Sequence, residues 1–535
     1  MPELSQNTQK LIQKYQSWYN SLQPKEGITT IHVDEVASRV AAFYEKIRGI
    51  LDWQEEHLLR KAAIERILKR RLFLGQNGEE FAANFVYELI RGGHFPNDRI
   101  PEQKIETIQR LINKYVFILN SSKPPAEKLK VRLYDWLLSI AACEVEEILD
   151  PPRRERALIE YMEDSMREKI SVPTKISEAE KNNQISIAVQ KALFKLDKAV
   201  ISYHLLKKRY PDWLEYDNPS AVPLENTPLK GAAENIYTVW KEIEKDLKYY
   251  LTEKFYRICE NYDTPYLILG DILSGDPLGA PEKFKNPEIL ENSIREVYTK
   301  KLKLLKSKAG RLAVYSTISI FLTKVLLALL IEVPLERYFT QQFSYQALGL
   351  NILIPSFLML LFVVTVRPPG RSNMERVVME TIKITYQSNK KDVYEIRQSR
   401  RRGVLLNSII NLIYLITFLI SFGFIWWGLG KLNFWILSKI IFLIFFSLIS
   451  YAGAKVRERS KELLIEEEKG GFLSFLLDSF SMPFIRVGKW LSSQWTRYNI
   501  LLVLITALIE MPFQVFVEFI EQWRTFLREK KEEIH

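Results

Sequence analysis

Leu312–Ile331 reads LAVYSTISIFLTKVLLALLI, with Lys324 its single charged residue. An α-helix needs about 20 apolar residues to cross about 30 Å of hydrocarbon, and this run supplies them. Three runs of the same character follow: Leu348–Val366, Val404–Leu429 and Leu432–Ala452. Residues 1–300 contain none. The pattern predicts an all-α chain: a large cytosolic helical region, then a polytopic helical membrane bundle with four spans.

Basic residues orient those spans. Lys300, Lys301, Lys303, Lys306, Lys308 and Arg311 precede the first. Ten Lys and Arg lie between Arg367 and Arg402, and Lys455, Arg457, Arg459 and Lys461 follow the fourth. The two opposite connectors carry only Arg337 and Lys431. By the positive-inside rule the N-terminal half and segments 367–403 and 453–471 face the cytoplasm. The expected location is an integral, multi-pass membrane protein, in the plasma (inner) membrane if the source is bacterial. Gly428–Asn433 forms a tight hairpin between the third and fourth runs, with Trp426, Trp427 and Trp435 as an outer interfacial belt.

Beyond the fourth run, Phe472–Trp495 is amphipathic and reads as an interfacial helix in the cytoplasmic leaflet. Asn499–Ile520 is long enough to span but contains Glu510, Pro512, Gln514 and Glu518. It reads as a fifth, kinked span or a re-entrant segment.

In the N-terminal half, apolar residues recur at helical spacing, as in Leu11, Ile12, Tyr15, Trp18, Tyr19 and Leu22. The same spacing continues through Val36–Leu51 and Leu58–Leu68. Further helices are expected at 79–91, 176–209, 230–261 and 287–306. Pro101, Pro125 and Pro151 each open a helix, with Asp150 as an N-cap. Tyr210–Gly231 and Gly270–Pro287 read as loops. The expected divisions are 1–210 and 211–310 in the cytosol, 311–453 for the four spans, and 454–535 for the interfacial helix, last apolar segment and charged tail.

The net charge is +11. Much of the basic excess flanks the spans, where it faces anionic lipid head groups, so the bilayer is the expected partner and nucleic acid is not. Two cysteines, Cys143 and Cys259, make no disulfide framework and no zinc spacing. The five histidines form no metal motif, and Glu144, Glu146 and Glu147 beside Cys143 read as a charged helix face. No cofactor is expected. Nor is an enzyme, since no phosphate loop, nucleophile elbow or carboxylate pair is present. The basic run Arg60–Arg71 reads as a solvated helix face, with anionic lipid as the alternative.

One echo carries chemistry. Leu330–Pro334 reads LIEVP, and Leu508–Pro512 reads LIEMP. In each, a proline breaks an apolar helix beside a carboxylate: Glu332 with Pro334, and Glu510 with Pro512. Freed carbonyls and an acid are ingredients of a cation or proton site. An ammonium at the depth of Lys324 needs a partner, and Glu510 is the candidate. Two functions fit. The preferred one is a membrane-anchored scaffold whose cytosolic helices bind a protein partner. The alternative is an ion or proton transporter or exchanger using Lys324, Glu332 and Glu510.

Overall fold

The structure is a computed structural model. It describes residues 3–23, 29–33, 58–73, 81–122, 124–172, 176–210, 229–340, 345–364, 369–386, 393–396, 404–460, 463–465 and 472–497, with single positions elsewhere. Val36–Leu51, most of Tyr210–Gly231 and nearly all of Asn499–Ile520 lie outside the described residues. The chain is all-α, as its periodicity predicts. Among the described residues the one sheet is a two-stranded parallel ladder, β1 (Ile170–Ser171) with β2 (Tyr394–Glu395). The chain forms two compact units.

The first unit holds residues 4–280 and 393–396. Its helices are α1 (Gln6–Ser21), α2 (Leu59–Phe73), α3 (Phe81–Arg91), α4 (Gln103–Ser121), α5 (Glu127–Leu149) and α6 (Arg153–Lys169). They continue as α7 (Glu178–Phe194), α8 (Lys198–Arg209), α9 (Leu229–Leu247), α10 (Thr252–Asn261) and α11 (Asp263–Gly275). Local chemistry sets their ends. Ser5 and Ser177 cap α1 and α7 by accepting from Thr8 N–H and Glu180 N–H. After α3, Gly93 takes φ +73°, which glycine adopts without strain. The core is apolar, with Phe85, Ile108, Leu137, Ile140, Val189 and Leu206 fully buried.

Four expectations need correction here. The helix expected over 176–209 is two helices, because Lys195 adopts left-handed φ (50°) and Asp197 starts afresh by capping Val200 N–H at 2.9 Å. The helix expected over 230–261 breaks between α9 and α10. Gly270–Pro287 is largely helical, in the end of α11 and in α12 (Ala280–Lys285). Asp150 does not cap α6: its carboxylate accepts from Arg60 at 2.7 Å instead.

The second unit holds residues 281–387 and 397–501. It opens with α13 (Pro287–Leu327), 41 residues long. Asn286 caps it, and proline sits at N1, where no N–H is needed. A π turn (Ala328–Glu332), α14 (Val333–Thr340), α15 (Tyr345–Val364) and α16 (Arg371–Thr385) follow. Then come α17 (Val404–Lys431), α18 (Ile436–Ser460) and α19 (Phe472–Arg497). Asn373 of α16 is a tie. Its Nδ2 donates to Tyr298 Oη at 2.9 Å and Leu463 O at 2.6 Å, and its Oδ1 accepts from Ile465 N–H at 2.9 Å.

Among the described residues two helices, not four or five, are long and apolar enough to cross a membrane: Ser408–Lys431 and Ile436–Glu458. The first expected span is divided between α13 and the π turn, and the second presents a shorter apolar helix, Leu348–Phe362. In Ser408–Lys431 only 6% of the apolar window is buried. Leu412, Ile413, Leu419, Ile420 and Phe424 face outward, the reverse of a helix in a water-soluble core. The α17–α18 turn is tight, with Asn433 at φ 57°. Helix α19 packs against both of these apolar helices, a contact the reading as an interfacial helix does not include. Phe484 is buried with its ring 4.4 Å from Phe422 and 4.6 Å from Phe446, and Ser421 Oγ donates to Phe480 O at 3.1 Å.

Candidate functional site

Pro334 has no N–H, and its ring crowds the carbonyl of Leu330 one turn back. The helix widens in response. Val333 N–H bonds Ala328 O, an i→i+5 link, and Ala328–Glu332 becomes a π turn. On a regular helix Lys324 and Glu332 would point about 80° apart. A π turn advances fewer degrees per residue and swings Glu332 back over the face of Lys324. Helical side chains also lean toward the N-terminus, so the carboxylate reaches down to the ammonium.

The two meet. Lys324 Nζ donates to Glu332 Oε1 at 2.6 Å, with the side chains 0% and 1% exposed. Asn351 of α15 donates its Nδ2 to the other oxygen, Oε2. The Phe445 ring of α18 lies 5.1 Å from the ammonium, a cation–π contact. Three helices thus close around one ion pair. Both oxygens of Glu332 are engaged. Asn351 Oδ1 is buried and accepts from no described residue. Thr317 Oγ1, two turns before Lys324 on the same face, is also buried without a hydrogen-bond partner among the described residues. Glu336 is buried one turn beyond Glu332. Thr317 to Glu336 is about 28 Å at 1.5 Å per residue, close to the depth of a hydrocarbon core. Beyond Glu336, Phe339 stacks on Trp435 of the α17–α18 turn, with ring centroids 6.1 Å apart.

The sequence-marked residues divide clearly. Lys324, Glu332 and Pro334 belong to one site. Glu510 and Pro512 lie outside the described residues, and the partner of Lys324 is Glu332. Asn351 and Phe445 were not singled out from sequence. Asn351 carried a signal, as the only carboxamide in the Leu348–Val366 run. Lys439 sits 5.2 Å from the Trp426 ring at the hairpin.

The charged groups of the first unit are mostly absorbed by pairing. Glu144 is buried against Lys114 and accepts from Tyr115 Oη at 2.6 Å, and Glu147 holds Lys207 and Arg156 at 2.5 and 2.8 Å. On α2, Arg60, Lys61, Lys69, Arg70 and Arg71 pair with Asp150, Asp197, Asp135 and Glu88, and Lys61 and Arg71 are buried rather than solvated. Among the described residues no group of three His, Cys, Asp or Glu could hold a metal ion. Comparison with protein families, with curated proteins and with solved structures finds no match.

Proposed function

We propose that the chain is a multi-pass integral membrane protein that moves protons, or an ion exchanged for them, through the Lys324–Glu332–Asn351 site. Four spans are assigned: the last half of α13 with its π turn, α15, α17 and α18. The N-terminal half lies on the cytoplasmic side, as the basic connectors require. The observation that carries the reading is the buried Lys324–Glu332 pair beside an amide oxygen with no partner among the described residues. Ionisable groups at membrane depth are costly and mark ion or proton pathways. A proton delivered to Glu332 neutralises it and leaves Lys324 without its counter-ion. Protonation is thereby coupled to movement of the ammonium, and Asn351 Oδ1 is an acceptor ready for the displaced donor. The row from Thr317 to Glu336 supplies polar groups on either side of the pair.

A membrane-anchored scaffold is the second reading. Its support is the saturation of Glu332, both of whose oxygens are bonded, as in a structural clasp. Proton flux separates the two. Purified protein in liposomes carrying an internal pH dye should acidify or alkalinise the lumen under an imposed gradient. Glu332→Gln should abolish that flux and Asn351→Ala should reduce it. Wild-type vesicles no leakier than empty ones would refute transport and leave the scaffold.

A further inference from the structure

The first unit contains a cleft of about 540 Å³, within the range of small-molecule sites. It opens between α5, α6, α7 and α8. Seven Lys and Arg and six Asp and Glu line it, but the charges do not cancel. Glu160 is paired with Lys14, which is not among the lining residues. Burial pushes the Glu146 carboxyl up to about 7, so near neutrality it is partly protonated. Arg60, Arg156, Arg167 and Lys207 hold carboxylates of the cleft. Arg153 and Arg154 hold none among the described residues. Arg153 is exposed, and Arg154 lies 4.4 Å from the Trp18 ring. Among the described residues Lys208 reaches Asn183 Oδ1, at 3.4 Å, and no carboxylate.

Two features show what this surplus is shaped for. Arg153, Arg154 and Arg156 crowd the first turn of α6 around its one acidic residue, Glu155, where the helix dipole favours anions over cations. Pro152 at the N-cap offers no side-chain bond to the turn's N–H groups. Arg153 N–H already bonds Pro151 O at 2.8 Å, so a bound oxyanion would engage the Arg153 and Arg154 guanidinium groups and the N–H groups of Arg154 and Glu155. Across the cleft, a relay fixes the tautomer of His204. Arg167 donates to Glu163 at 3.0 Å, Ser186 Oγ donates to Glu163 at 2.6 Å, and Gln190 Nε2 donates to Ser186 Oγ at 3.0 Å. Gln190 Oε1, 2.6 Å from His204 Nδ1, can only accept. The imidazole proton therefore sits on Nδ1, and Nε2 carries a lone pair with no hydrogen-bond partner among the described residues. The cleft thus presents an oxyanion seat at one wall and a lone acceptor at another, in a space far larger than a phosphate ion.

We propose that this cleft binds a phosphorylated small molecule of mononucleotide size. Its phosphate sits on Arg153, Arg154 and the first turn of α6, and a hydroxyl or N–H of its organic part donates to His204 Nε2. The test is isothermal titration of the full-length, detergent-solubilised protein with AMP, ribose 5-phosphate and inorganic phosphate. At least one organic phosphate should bind saturably and more tightly than inorganic phosphate. Arg153→Ala with Arg154→Ala should weaken it by about tenfold or more. Both residues are exposed, so the double variant keeps its fold, checked by circular dichroism. His204→Phe should weaken the organic phosphate and leave inorganic phosphate unchanged. No saturable binding of either organic phosphate overturns the proposal. So does an affinity indifferent to the arginine substitutions, or inorganic phosphate binding as tightly as both organic ligands.

Discussion

Removing either charge of the Lys324–Glu332 pair strands the other among apolar side chains. Breaking a buried pair from one side costs about 3–5 kcal/mol, whereas replacing both partners by apolar groups is often close to neutral. Lys324→Met and Glu332→Leu should therefore each lower the unfolding stability of the detergent-solubilised protein by about that amount. The double variant should lose less than the sum, and strictly additive losses would dissolve the pair as an energetic unit. Glu146 gives a pH-dependent counterpart in the first unit. Burial holds its carboxyl at about 7 against an ordinary 4.5. Between those values the folded protein keeps a proton that the unfolded chain has released, so stability falls as pH rises. The contribution is complete below 4.5 and lost above 7. Glu146→Gln is neutral at every pH. Relative to it, wild type should lose roughly 3 kcal/mol between pH 4.5 and 8 in urea unfolding, and a pH-independent difference would contradict the burial argument. Lys324 and Glu332 are legible in sequence as residues too costly for their places. Their meeting is not, because 3.6-residue periodicity sets them on different faces and only the π turn before Pro334 brings them together.

Helix ends and close packings decide what the elements can do. At Gly488 in α19, a Cβ would collide with the Ser447 carbonyl of α18 and lie 2.8 Å from Tyr451 Cβ. Only glycine lets the backbones approach so closely, the small-residue packing expected where helices associate in lipid. Gly488→Leu should push α19 off α17 and α18. The expected loss is about 1–3 kcal/mol of stability, the usual range for overpacking, together with release of the Phe484 ring from Phe422 and Phe446. Thermal unfolding in detergent measures the first. Crosslinking of a Phe422→Cys/Phe484→Cys pair measures the second, and undiminished crosslinking in the Gly488→Leu background would refute the dependence of this packing on Gly488. Amphipathic spacing marks the α19 segment as a helix, yet a moment shows only that one face is apolar. It does not distinguish lipid head groups from neighbouring helices as the cover, and Gly488 against Ser447 is a pairwise fact with no local signature. The split between α7 and α8 is hidden for a similar reason. Lys195 carries no turn propensity of its own, and the restart depends on Asp197 capping the next helix while also accepting from Lys61 of α2.

At the scale of the molecule, the proposed topology takes its orientation from the distribution of Lys and Arg alone. The outward apolar faces of α17 and α18 support only the contact of those two helices with lipid. A thiol-labelling experiment can test the result, but not with the native cysteines. Cys143 and Cys259 are 5% and 0% exposed, and burial raises both thiols above their ordinary range, so little thiolate is available to react. Their silence is an advantage, because one introduced thiol then reports alone. Val131 on α5 is 57% exposed and Leu432 in the α17–α18 turn is 44% exposed. With the N-terminal half cytoplasmic, Leu432→Cys should react with an impermeant maleimide in intact cells. Val131→Cys should react only after the membrane is opened. The two thiols serve as each other's control, since each must label fully in detergent. Labelling of Val131→Cys in sealed cells, with Leu432→Cys protected, would invert the topology. Labelling of both would place both positions on the outer side. Protection of both until permeabilisation would mean that α17 and α18 enter and leave by one face without exposing their turn, which a pair of 24- and 23-residue apolar helices is long enough to avoid.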